Sequence, residues 1–399
     1  MRSIRIFLLL GFTFFITGCA SVKNDSIPTI VPSTPVLETP TVTAVPAQNF
    51  PLLDVFTVDA SLPREEYGGR LAFSPDGKTL AQFYSDTALL WNVAEGKSIV
   101  LPADQPGKLS NIAWSPDGKS LVYVVCLEKN SASCLQYEIG RWDMTTNQLV
   151  NHVRYDFIGP MTNLELSFNP DGRMLALLFD GTTGSGVIQL FDFATLQLID
   201  SIKLDKEYIL AATFSPDRKF LAFSANDSSY HCKLYLWDVT TNQQTASVLM
   251  PEPGSVLDLD FSSEGAILAV LFKSMNDPAQ MAAITLWDSA TLQSIGAPLI
   301  APHAAESGGI GDYSASPLGL VNMAVSPNGA VVAAADNTGV ITFWDISTRE
   351  MIASAPQMMN LSGAPTVPQD MVFSPDGNIL AVSTEDGAIL SDMSALYGR

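Results

Sequence analysis

Phe73-Ser74-Pro75-Asp76-Gly77 is a stretch to which this chain keeps returning. It comes back as Trp114-Ser115-Pro116-Asp117-Gly118, Phe168-Asn169-Pro170-Asp171-Gly172, Phe214-Ser215-Pro216-Asp217-Arg218 and Phe373-Ser374-Pro375-Asp376-Gly377. Phe261-Ser262-Ser263-Glu264-Gly265 and Val325-Ser326-Pro327-Asn328-Gly329 are weaker copies. From Asp76 to Asp376 the steps are 41, 54, 46, 47, 64 and 48 residues, a period at which each repeat is one small structural unit. Ser-Pro-Asp-Gly is turn chemistry: Pro presets φ at the second position, Asp suits the third, and Gly tolerates φ > 0 at the exit. Apolar flanks make each copy a hairpin turn between two strands. Seven turns imply seven sheets.

A second landmark lies 18 to 28 residues after the residue that opens each turn: Trp91-Asn92, Trp142-Asp143, Phe191-Asp192, Trp237-Asp238, Trp287-Asp288 and Trp344-Asp345. A degenerate seventh, Ser391-Asp392, follows Gly387-Ala388-Ile389-Leu390. With both landmarks in phase, residues 52 to 393 resemble the WD40-repeat β-propellers. The resemblance implies an all-β fold of seven four-stranded antiparallel blades. In each, the innermost strand ends at the Ser-Pro-Asp-Gly turn and the third ends in Trp-Asp. A Trp can fill the wedge between blades, and the Asp can accept backbone N–H groups in the following turn. One departure stands out: no Gly-His dipeptide precedes any blade, so the family's histidine-centred hydrogen-bond network lacks its histidine. Asp86, Asp336 and Asp386 do fall in the tight second turn of blades 1, 6 and 7.

The first 19 residues read as an export signal. Arg2 and Arg5 supply the positive end, Ile6 to Ile16 the apolar run, and Ile16-Thr17-Gly18-Cys19 its end. That tetrapeptide resembles the bacterial lipobox, which implies removal of 1–18 and lipid on Cys19, hence a cell-envelope protein held to a membrane outside the cytoplasm. The apolar run is short for a membrane span. Residues 19–51 change composition abruptly, with Pro28, Pro32, Pro35, Pro40, Pro46 and Pro51 among Thr, Val and Ser. Such a segment has too little apolar surface to order itself and reads as a disordered tether. Residues 52–399 are then one propeller. After Asp392 too few residues remain for a fourth strand, so 52–58 is expected to supply the outer strand of blade 7 and close the ring, removing an open edge.

Charge excludes some partners. The chain carries 41 Asp and Glu against 21 Lys and Arg, a net −20, with no basic cluster in the repeats. Binding to nucleic acid rests on cations neutralising phosphate, so nucleic acid is not an expected partner. Of four cysteines, Cys19 belongs to the leader. Cys126 and Cys134 bracket a short polar loop between two apolar runs of blade 2; they are either a disulfide or two buried thiols, and export favours the disulfide. Cys232 is left over as a packed thiol.

The turns after each Trp-Asp and the Ser-Pro-Asp-Gly turns are short, and alternation of strand direction puts both sets on one face. Longer segments fall at 126–134, 180–186, 225–232 and 273–282 within blades, and at 151–163, 301–319 and 355–369 between them, which share the opposite face. Loops on a rigid scaffold are where recognition is placed. The candidate binding residues there are Met275, Asp277, Met281, His303, Glu306, Asp312 and Tyr313, a mixture of Met, aromatic and polar groups suited to adaptable recognition. The smooth face is expected to be dispensable.

Catalytic motifs are sparse. His152, His231 and His303 have no metal-type spacing and read as surface loop residues; no metal or cofactor is expected. No Gly-x-Ser-x-Gly, Cys-x-x-Cys or His-x-x-x-His occurs. Two readings remain: a monomeric, membrane-tethered scaffold that binds a protein partner, or a hydrolase-type or glycan-binding propeller with its site at the channel mouth.

Overall fold

The computed structural model describes residues 52–57 and 69–396, apart from 85–86, 102–107, 130–133, 160–164, 180–185, 277–281, 302–319, 360–364 and 385. Within these, the strands form seven four-stranded antiparallel sheets, six of them ordered so that consecutive strands are neighbours. Blade 1 covers residues 71–101, blade 2 108–159, blade 3 165–203, blade 4 207–249, blade 5 254–294 and blade 6 320–354. Blade 7 joins 370–392 to the strand Leu52–Thr57, which pairs antiparallel with Gly387–Asp392 through Val55↔Ile389 and Phe56↔Ala388. The fold is a WD40-like seven-bladed β-propeller, closed by its N-terminal strand.

The repeated turn is built by its own side chains. Ser74 Oγ donates to Asp76 Oδ1 at 2.7 Å and accepts the N–H of Thr79 at 2.9 Å. The same carboxylate accepts the N–H of Lys78, while the N–H of Gly77 reaches Ser74 O at 2.8 Å. Blades 2, 4 and 7 repeat this from Ser115, Ser215 and Ser374, and in blade 6 Asn328 replaces the Asp. The chain leaves the turn at φ near +70°, which glycine adopts freely. In blade 4 that position is Arg218, also at φ 71°.

The strand-end aspartates cap the other set of turns. Asp143 Oδ1 accepts from the Thr145 N–H, the Thr145 hydroxyl and the Thr146 N–H, and Asp192, Asp238 and Asp288 engage Thr195, Thr240 and Thr291 likewise. The aromatic before each Asp faces the preceding blade. Trp142 packs with Leu90 and Ile112 between blades 1 and 2, Phe191 between 2 and 3, and Trp287 between 4 and 5. Seven apolar clusters result, one per blade interface. Burial of this apolar surface between blades holds the ring together.

Two expectations need correction. Of the expected 151–163 loop, residues 151–159 are strand and the rest lies outside the described residues: Gln148–Gly159 is a 12-residue outer strand of blade 2, pairing with the ten-residue third strand Cys134–Asp143. Its outward residues are His152, Arg154 and Asp156, so polarity on the exposed side masks a strand whose inner side carries Val153 and Tyr155. His152 therefore stands exposed on a strand, not in a loop. The outer strand of blade 5 is the reverse case, only Gln293–Ser294, because Gly296 turns at φ 68° and Pro298 lacks the N–H a ladder needs.

A disulfide joins Cys126 and Cys134 across the ends of adjacent strands, with 5.9 Å between Cα atoms. Cys232 is a buried free thiol in the interface of blades 4 and 5.

Candidate binding faces and the central channel

Antiparallel order sends the first-to-second and third-to-fourth connections to one face, and the second-to-third and blade-to-blade connections to the other. The expected segments 126–134 and 225–232 shrink to 130–133 and 228–231, because the flanking strands run to Lys129 and Asp227 and resume at Cys134 and Cys232. The second face still takes the longest intervals between strands. Met275 stands there, more than half exposed, just beyond the strand Ile267–Ser274. The other six candidates, Asp277, Met281, His303, Glu306, Asp312 and Tyr313, lie outside the described residues, as does Cys19. Leu257 and Val321, at equivalent places on the inner strands of blades 5 and 6, are exposed apolar neighbours that the sequence reading passed over. Each sits inside a register shift of its inner strand, Val256/Asp258 and Leu320/Asn322. A bulge of this kind turns one extra side chain outward.

Blade 4 contributes a polar group to this face. Lys233 Nζ lies 2.6 Å from Glu207 Oε1, and the Tyr235 hydroxyl donates to Glu207 Oε2 at 2.5 Å. Burial, followed by the Glu207 hydrogen bond, pushes the Tyr235 phenol up to about 12. Nearby Asp227 accepts the backbone N–H of His231 and meets its ring at 3.0 Å, which draws the Asp227 carboxyl below its usual range. His231 is the surface loop residue the sequence implies.

The inner strands enclose a cavity of about 440 Å³ on the ring axis. Its wall includes Asp260 and, three residues before the residue that opens the turn in blades 1, 2, 5 and 7, Arg70, Asn111, Asp258 and Asp370, a position whose mixture of residue types hides it from the repeat pattern. Asp370 is buried, accepts the N–H groups of Leu71 and Met371, and has Arg70 at 4.0 Å. Burial raises its carboxyl above the usual range, against the pull of Arg70. A second buried carboxylate, Glu138 in blade 2, accepts from the Tyr123 hydroxyl and from Arg154 Nε, both at 2.9 Å. Its neighbours satisfy it within the blade, so its role is structural. Among the described residues no three His, Cys, Asp or Glu side chains converge as a metal ion requires.

No protein-family model matches the chain, and no curated protein matches it in sequence. Solved structures do. A chain of the Kuenenia stuttgartiensis hydrazine synthase superposes with a TM-score of 0.65 at 15% identity, over 84% of this chain and 99% of that one. A chain of the mitotic checkpoint complex superposes at 0.64, again with 15% identity, over 88% and 98%. Both similarities are of fold.

Proposed function

We propose that this protein is a membrane-tethered scaffold, displayed outside the cytoplasm as a monomer, whose propeller binds a protein partner through the face of long connections. The observation that carries this reading is one-sided elaboration on a closed ring. Ser-capped and Asp-capped turns hold one face to a repeated minimum, while the longest sequence intervals between strands, Ser274 to Ala283 and Ser294 to Leu320, connect strand ends on the other. A closed ring of seven interlocked blades fixes the places from which these connections leave, which limits the ordering cost at binding. Residues 1–19 have the pattern of a lipoprotein signal, and the Pro-rich stretch to 51 would let the ring stand off the bilayer. Fold alone does not assign function, so the test must be of binding. Replacing 302–319 by a short Gly-Ser link should leave the melting temperature nearly unchanged and abolish in-cell crosslinking to the partner that the intact protein captures. Capture that survives the deletion, and is lost instead on substituting Thr146 or Gln243, places the partner on the opposite face.

A further inference from the structure

The face of short turns is not uniform. The turn after each third strand holds one residue at left-handed φ: Asn147, Leu196, Asn242, Leu292 and Arg349 in blades 2 to 6. At four interfaces this residue closes the groove against the preceding blade. Leu196 is fully buried between blades 2 and 3, where Tyr155 donates to its carbonyl oxygen at 2.7 Å. Leu292 is buried between blades 4 and 5. Asn242 donates to Asp200 across blades 3 and 4, and the Arg349 guanidinium fills the place a Cβ on Gly296 would take, across blades 5 and 6. Between blades 6 and 7 the buried Met393 and Leu396 do the same.

Asn147 does not. Exposed as Asn242 and Arg349 also are, it differs from them in having no cross-blade hydrogen bond or packing contact among the described residues, and it borders a groove of about 740 Å³ between blades 1 and 2. The apolar lining of that groove is Leu90, Trp114, Met144 and Ile99, the last 51% exposed on the outer strand of blade 1. Its polar lining includes three carboxylates, Asp76, Glu95 and Asp117, against one ammonium, Lys97, which lies 3.2 Å from Glu95. Lys78, 3.7 Å from Asp76, and Lys119, whose charge acts on Asp117, stand outside this lining, so the carboxylate excess belongs to the groove wall itself.

We infer that this groove is a docking site for an aliphatic side chain, of leucine size and shape, carried on a cationic segment of another protein. The chain itself shows what fits: Leu196 and Leu292 seal the equivalent grooves from within. The carboxylates at the edge and the net charge of −20 select Lys or Arg beside the anchor. This surface is separate from the face of long connections and stands whether or not that face binds a partner.

The test uses the full-length protein and a fluorescein-labelled peptide, Lys-Lys-Leu-Lys-Lys, followed by fluorescence anisotropy. Replacing the peptide's Leu by Ala should weaken binding on the order of tenfold, the worth of one buried aliphatic side chain. Replacing its lysines by glutamates should abolish binding. Asn147→Leu should plug the groove from within, raising the melting temperature and weakening the peptide at least tenfold. Ile99→Lys should weaken it similarly with an unchanged circular dichroism spectrum, which keeps the proposal testable if the plugged variant misfolds. Deleting 302–319 should leave peptide binding intact. No binding at millimolar peptide, equal binding of the Leu and Ala peptides, or full affinity in Ile99→Lys overturns the proposal.

Discussion

The carboxylate of Asp370 accepts the backbone N–H of Leu71 at 2.7 Å, joining the inner strands of the last and first blades across 299 positions of sequence. With Gln82 Nε2 donating to Gly387 O, it makes the seam of the ring polar as well as apolar. Asp370→Ala leaves a buried N–H without its acceptor and should cost about 1–3 kcal/mol by denaturant titration. Asp370→Asn keeps an oxygen acceptor and should cost less. Because burial raises the Asp370 carboxyl, its contribution is fullest below the unfolded value and declines as pH rises through the folded one. The penalty for the Asn variant should therefore be larger near pH 3 than at pH 7; a penalty independent of pH argues that folding leaves this carboxyl's pKa unshifted.

The turn aspartates behave in the opposite sense. Hydrogen bonds from Ser74, Ser115 and Ser374 hold Asp76, Asp117 and Asp376 below the usual carboxylate range, and those from Thr145, Thr195, Thr240 and Thr291 do so for Asp143, Asp192, Asp238 and Asp288. A depressed folded pKa contributes stability above the unfolded value and loses it as pH falls through the folded one. Seven such groups outweigh Asp370. The melting temperature should be nearly flat from pH 7 to 5 and fall steeply below about pH 4. A flat curve down to pH 2.5 contradicts this.

Arg218 sits at φ 71° where the other full copies of the turn have glycine. Left-handed backbone costs a residue with a Cβ on the order of 1 kcal/mol, partly offset by the entropy glycine adds to the unfolded chain. Arg218→Gly should raise stability by roughly 0.5–1 kcal/mol. The reciprocal Gly118→Ala should lower it by a similar amount, because the new Cβ would meet only Pro75 Cδ at an ordinary 3.5 Å. A stabilised Gly118→Ala protein would show that turn conformation is not the controlling term.

Thiol labelling of the protein should follow burial and pairing. Burial pushes the Cys232 thiol up to about 12, so the native protein should label at none of its propeller cysteines. Denatured without reductant it should label once, at Cys232, and with reductant at Cys126 and Cys134 as well. Two or more thiols in the unreduced denatured sample would mean an open pair.

The proposed lipidation of Cys19 makes a separate prediction. Intact mass should show cleavage before Cys19 and added acyl chains, and Cys19→Ser should shift the protein from the membrane to the soluble fraction. Identical fractionation of the variant assigns the anchor elsewhere.

Much of this architecture is legible in the chain because local and global signals coincide. Ser74 and Asp76 specify a turn by hydrogen bonds made within five residues, and Trp142 marks both a strand end and a blade interface. Other features are hidden for physical reasons. Gln148–Gly159 alternates polar residues on its open side, so only its partner strand reveals it. The channel wall draws single residues from many blades, and Asp370 differs in type from Asn111 and Asn322 at the same place. Turn length suggests a smooth face, yet Asn147 and Leu196 occupy turns that match in φ and differ in what they bury. That distinction lives in the side chain.

The pairing of Leu52–Thr57 with Gly387–Asp392 also sets an order of events for a chain that emerges amino end first. The strand that completes blade 7 is made before every residue it pairs with. Bringing such distant segments together carries a closure cost of about 5 kcal/mol for a flexible chain of this length, a cost that early docking of the intervening blades reduces. Blades 1 to 6 contain all their own strands and can form one after another, each templating the next. The ring is therefore an arc for most of its assembly, and it becomes a circle only when its two ends, the first segment made and the last, meet in the same sheet.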